Sequence, residues 1–168
     1  AAELGKQVRF ILSSNGWTAN RERLAWLAEH PVRFELSLDG DPETQNRYRR
    51  ARDKGRDSYT EGIASRADLF RDLALEHEVI MVVPPAAADR LAANFFHIVD
   101  LGYPQVQINP GLGMTWSEQK KGVFAEQLMA IGEELRRRWG RGQQVVLTNL
   151  LADKPQPMRL NGEVTVDW

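Results

Sequence analysis

Cysteine is absent from the 168 residues. A disulfide framework and a thiolate metal site are therefore both excluded for this chain. Histidine is scarce, and His30, His77 and His97 have no metal-ligand spacing. Long apolar runs are missing too. The most apolar stretch, Val79 to Val83 before Pro84-Pro85, is far too short to span a bilayer. Neither a basic n-region nor an apolar h-region opens the chain, so no secretory leader is read and a cytoplasmic location is expected. The first residues, Ala1-Ala2-Glu3, lack an initiator methionine and read as a processed or cut end. An excess of one charge is also lacking. The 22 Lys and Arg against 23 Asp and Glu leave a net charge of −1, which argues against a general polyanion binder. No Gly-x-x-x-x-Gly-Lys, Gly-x-Ser-x-Gly or His-Glu-x-x-His motif occurs.

What remains is the profile of a globular domain: 42% hydrophobic and 27% charged residues, enough to build a core and keep it soluble. Apolar runs of strand length recur at Gln7–Leu12, Val32–Leu38, Glu78–Val83, Gln105–Asn109 and Gln144–Leu147. Between them lie helical stripes. Leu24, Leu27 and Ala28 share a face behind a capping Asn20, and Pro31 stops that helix. Asp41 caps a short helix with Pro42 in its first turn. Ser58-Tyr59-Thr60-Glu61 reads as a capping box ahead of Ile63, Ala67, Phe70 and Ala74. Leu91, Phe95 and Ile98 form the next stripe. Thr115-Trp116-Ser117-Glu118 reads as a second capping box before Phe124, Leu128, Ile131 and Leu135. Strand then helix, four times over, predicts an α/β fold: about four βα units of a partial barrel of parallel strands over 1–149. Residues 150–168 read as a linker with Pro155 and Pro157, then a β-hairpin across Asn161-Gly162 that begins a C-terminal extension.

In parallel α/β folds ligands bind at the carboxyl ends of the strands. Those ends carry Ser13-Ser14-Asn15-Gly16, Ser37-Leu38-Asp39-Gly40, Asn109-Pro110-Gly111 and Thr148-Asn149, and four of the five strand ends are polar. Such residues also form turns and caps, so it is their coincidence on one rim that points to a site. Arg47, Arg49, Arg50, Arg52, Lys54 and Arg56 crowd the loop after the second strand. Arginine there suits a carboxylate or phosphate, and pairing with Asp53 and Asp57 is the competing explanation. Aromatic residues beside the loop are few, so nucleic acid is an unlikely partner.

The order of these pieces resembles radical S-adenosylmethionine (AdoMet) enzymes. Ser13-Ser14-Asn15-Gly16 comes first, then Phe34-Glu35-Leu36-Ser37-Leu38-Asp39-Gly40, then Asn46-Arg47-Tyr48-Arg49-Arg50-Ala51-Arg52 with Ser58-Tyr59 behind it. Met81-Val82-Val83-Pro84 and Gln107-Ile108-Asn109-Pro110 continue the pattern. The likeness covers residues 7 to 139 and is nearest to the SPASM or twitch group, which includes sulfatase maturases. It implies strands three to six of a (β/α)6 core. It also implies that Asn15 and Asn109 lie in the cofactor site, that Ser37 and Asp39 line the AdoMet ribose or the substrate, that Val83 and Ile108 flank the adenine, and that Arg52 meets an anionic group. No catalytic or metal-ligating residue is assigned. The family's Cys-x3-Cys-x2-Cys loop, which holds a [4Fe–4S] cluster, has no counterpart here. AdoMet and the cluster are thus expected in an intact parent protein, with this chain inactive alone. Implied partners are the missing N- and C-terminal parts of that parent, a peptide or protein substrate, and a second copy pairing through the exposed first strand. The alternatives are a cysteine-free adaptor module, or a small domain that binds an anion or RNA through the 47–56 loop.

Overall fold

The computed structural model describes residues 8–53, 55–62, 66–73 and 75–151. Five strands form one sheet: β1 (Phe10–Ser14), β2 (Val32–Ser37), β3 (His77–Val83), β4 (Gln105–Pro110) and β5 (Val146–Leu147). Their order in the sheet is their order in the chain, and every neighbouring pair is parallel. Right-handed crossovers that always step the same way place all the connecting helices on one face. That arrangement is an arc of a βα barrel, not a doubly wound sheet, whose strand order would reverse.

The helices are α1 (Arg21–Ala28), α2 (Pro42–Tyr48), α3 (Ser58–Gly62), α4 (Ala67–Asp72), α5 (Leu91–Asp100) and α6 (Glu118–Gly140). Their starts follow from local chemistry. The Asn20 side chain accepts from the Arg23 N–H and Asp41 from the Thr44 N–H, as the sequence predicts. Both expected capping boxes are displaced. Asp57, not Ser58, caps α3, accepting from the Tyr59 and Thr60 N–H groups while Glu61 accepts from the Asp57 N–H. A carboxylate with two accepting oxygens displaces a neighbouring hydroxyl from this role. Ser117, not Thr115, caps α6 by accepting from the Lys120 N–H. Ser13 and Ser14, expected in a turn, are the last residues of β1. The 158–168 hairpin and the 152–157 linker lie outside the described residues, as do Ile63 and Ala74.

Strand side chains alternate between faces. Phe34, Leu36, Leu38, Val79, Met81, Val83, Val106 and Ile108 point to the helices and pack against Phe70, Leu91, Phe95, Ile98, Ile131 and Leu135. Leu91, Phe95 and Ile98 are the face predicted for α5; of the face predicted for α6, Ile131 and Leu135 are buried in the core and Phe124 and Leu128 pack against it, partly buried. Among the described residues no helix is long and apolar enough to cross a membrane.

Candidate functional site

The strand face turned away from the helices is mixed. Counting by twos from Ser37 and across the register gives Ile11 and Ser13 on β1, Arg33 and Glu35 on β2, Glu78, Ile80 and Val82 on β3, and Gln105, Gln107 and Asn109 on β4. Several of these groups bond to one another. The Ser13 hydroxyl donates to Glu35 at 2.6 Å, the Gln107 amide donates to Asn109 at 3.0 Å, and Arg33 pairs with Glu78. One oxygen of Glu78, Oε2, is buried with no hydrogen-bond partner. No hydrogen bond involves the Ser37 side chain among the described residues. A row of hydroxyl, carboxamide and carboxylate groups on an open sheet face can bind the hydroxyls and amine of a small polar ligand.

At the carboxyl rim Asp39 is 4% exposed and fully engaged. The Arg49 guanidinium grips it with two bonds, Nε to Oδ2 at 2.7 Å and the terminal amine to Oδ1 at 3.0 Å. The Val82 N–H donates to Oδ1 at 3.0 Å, and the Asp39 N–H donates to Gln45 at 2.9 Å. This carboxylate therefore ties the segment after β2 to β3 and to the residue that closes α2. The chain then reverses at Gly40, whose φ of 144° and contact with Asn94 leave no room for a Cβ. Asn94 is buried and accepts from the Asp41 N–H while bonding to Thr44. Burial would raise the Asp41 carboxyl, but hydrogen bonds from Thr44 and from Arg90 bring it below its ordinary value.

Beside this rim lies a cavity of about 410 Å³. Asn15 and Trp17 line it just beyond β1, Gln45 from α2, Arg49, Arg50, Arg52, Asp53 and Arg56 from the segment after α2, and Ser58 from the start of α3. The Trp17 N–H donates to Asn15, and Arg56 lies 4.4 Å over the Trp17 ring. Asn46 joins the loop to α3: it donates to Asp57 at 2.8 Å and accepts from the Ser58 hydroxyl at 2.8 Å.

The structure brings Asn15 and Arg52 together in that cavity, and puts Ser37 and Asn109 on the open face. Val83 and Ile108 are not among them. Their side chains, 1% and 4% exposed, belong to the helix-facing core. Their backbones are occupied as well. The Val83 carbonyl accepts from Gly111, and the Asn149 side chain both accepts from the Ile108 N–H and donates to its carbonyl. Sequence reasoning did not single out Glu78; Ser13 stood only within a polar strand end, and Glu35 and Gln107 only within the quoted motifs. Counting alternate residues from Ser37 and Asn109 is the signal that finds Glu35 and Gln107. Among the described residues no group of three or more potential metal-ligating side chains converges.

No protein-family model matches the sequence, and no curated protein matches it. Solved structures do match. Native anSMEcpe with bound AdoMet superposes with a TM-score of 0.70 at 18% identity, over 85% of this chain and 40% of the neighbour. Native anSMEcpe with bound AdoMet and the Kp18Cys peptide gives 0.72 at 18% identity, over 85% of this chain and 41% of that one. The same enzyme with AdoMet and the Cp18Cys peptide gives 0.72 at 17% identity, over 88% and 42%. The chain thus spans about two fifths of the structures it matches. At such identities the likeness is one of fold.

Proposed function

We propose that this chain is part of a radical AdoMet enzyme of the sulfatase-maturase kind, supplying the wall of the barrel that faces AdoMet and a peptide or protein substrate. One observation carries the reading. A parallel sheet in unbroken sequential order, with polar groups along its open face and carboxyl rim, superposes over most of its length on an enzyme solved with AdoMet bound. That neighbour is an anaerobic sulfatase-maturating enzyme of the radical AdoMet SPASM type.

The residues fit AdoMet. Among the described residues Ser37 offers a hydroxyl without a partner, and Asn109 keeps its amide N–H₂ unbonded while its oxygen accepts from Gln107. With Ser13 they stand on the same sheet face at successive register levels, where they can meet the ribose hydroxyls and the amino-acid amine. Asp39 acts at one remove by holding Arg49 and Val82 in place. The residues do not fit an iron–sulfur cluster: with no cysteine in the 168 residues, this chain has no thiolate to ligate one. Such a cluster supplies the electron for AdoMet cleavage, so no step of that chemistry is assigned to these residues. Their part is to bind and orient.

Calorimetric titration of the 168-residue chain with AdoMet tests the reading, with ATP as a control for any adenine nucleotide. Weak but saturable AdoMet binding is expected, reduced roughly tenfold by Ser37→Ala or Asn109→Ala, the loss of one hydrogen bond to a charged or strongly polar ligand. No AdoMet binding, or binding that ATP matches and neither substitution alters, rejects it.

A further inference from the structure

The loop beyond α2 carries arginines that the fold uses unequally. Arg49 is held by Asp39. Arg56 lies over Trp17 and pairs with Glu61 and, at 3.8 Å, with Asp53. Arg50 and Arg52 are exposed, and neither has an acidic partner among the described residues. Asp39 and Glu61 are already bonded to other arginines, and Asp53, 73% exposed, makes only a long contact of 3.8 Å with Arg56. Asp57 is committed as a cap, accepting from Thr60, Asn46 and the Tyr59 N–H. Sequence reasoning offered Asp53 and Asp57 as partners for the whole loop; the structure gives Asp53 to Arg56 and Asp57 to the backbone.

Arg50 and Arg52 both line the cavity of about 410 Å³, with Asn15, Trp17, Asp53 and Ser58 on its walls. Four arginines and one carboxylate, Asp53, line the cleft among the described residues, so positive charge predominates there and an entering anion gains forked hydrogen bonds. The cleft lies just beyond the carboxyl end of β1, where Asn15 and Trp17 line it. Its volume suits one or two side chains. A nucleic-acid strand would need a longer basic track and bare aromatic faces. Here the cavity's single aromatic ring, Trp17, already has Arg56 over it, and the net charge is −1.

We propose that Arg50 and Arg52 receive the carboxylate of an Asp or Glu in the peptide or protein substrate, so that the enzyme selects an acidic residue flanking the position it modifies. This rests on the reading of the chain as part of a peptide-modifying AdoMet enzyme, and adds the substrate class that its rim selects.

The test uses two synthetic peptides, identical except that Asp and Glu in one are Asn and Gln in the other. Each is titrated calorimetrically into the 168-residue chain with AdoMet present. The acidic peptide is expected to bind roughly tenfold more tightly or better, the value of a charge-assisted hydrogen bond. The preference should shrink with added salt. It should fall to near equality in Arg50→Ala/Arg52→Ala and return in part in Arg50→Lys/Arg52→Lys, with circular dichroism showing that both variants fold. AdoMet affinity should be the same in the alanine double variant as in the wild type. Equal affinity for the two peptides, no binding of either, a preference that survives the alanine variant, or tighter binding of a single-stranded RNA than of the acidic peptide overturns the inference. A roughly tenfold loss of AdoMet affinity in that variant also overturns it, because the arginines would then serve the AdoMet carboxylate. If wild-type chain shows the peptide preference but no AdoMet binding, the anion site stands and the reading of the preceding section falls.

Discussion

Removing the Asp39 carboxylate strands two groups at once: the Arg49 guanidinium and the Val82 N–H. Asp39→Ala is expected to lower the unfolding free energy by about 2 kcal/mol, below the range for a fully buried pair because water reaches Arg49. Asp39→Asn should lose less, since its carbonyl still accepts from Val82. Urea denaturation measures both; equal losses would mean that the ion pair, not the Val82 bond, carries the whole effect. Asp57 makes a different prediction. The Thr60 hydroxyl, the Asn46 amide and the Thr60 N–H hold its carboxyl down to about 2, against an ordinary 3.8. A carboxyl held below its unfolded value supports the fold above that value. The support is then lost as pH falls through the folded value. Thermal melts from about pH 5 to pH 2 should therefore show a flatter acid limb for Asp57→Asn than for the wild type. Identical limbs would remove Asp57 from the account.

At the scale of elements, β1 is the exposed part of the sheet. Among the described residues no strand lies on its outer side, while Phe10 and Ile11 are 58% and 63% exposed and point to opposite faces. An open strand edge with apolar side chains on both faces is a template for another strand. The chain is expected to associate through this edge, with sedimentation velocity showing a concentration-dependent assembly that Ile11→Lys weakens. A monomer at all concentrations would count against it. The parallel helical layer was legible before the fold was seen, because periods of two and of 3.6 are written into the residues. Caps were legible to within one or two positions. They slipped where two candidate acceptors are adjacent in sequence, as at Asp57 and Ser58, because geometry chooses between them.

At the scale of the whole molecule, the absence of cysteine makes one more prediction. Anaerobic reconstitution of the 168-residue chain with iron and sulfide should leave no thiolate-ligated cluster after desalting, and stoichiometric iron and sulfide retained with the protein would contradict it. By itself the sequence determined that property, the strand–helix alternation and the gathering of polar residues at the strand ends, since each follows from residue chemistry or local period. It could not decide which strand residues face the helices. Val83 and Ile108 look like site residues in sequence, and their parity in the sheet buries them. Nor could it decide which arginine each acid holds. Asp39 took Arg49, and Arg50 and Arg52 were left facing the cavity. Those choices were made by the tertiary structure alone, because a side chain's partner depends on which distant strands and helices the fold brings within hydrogen-bond reach.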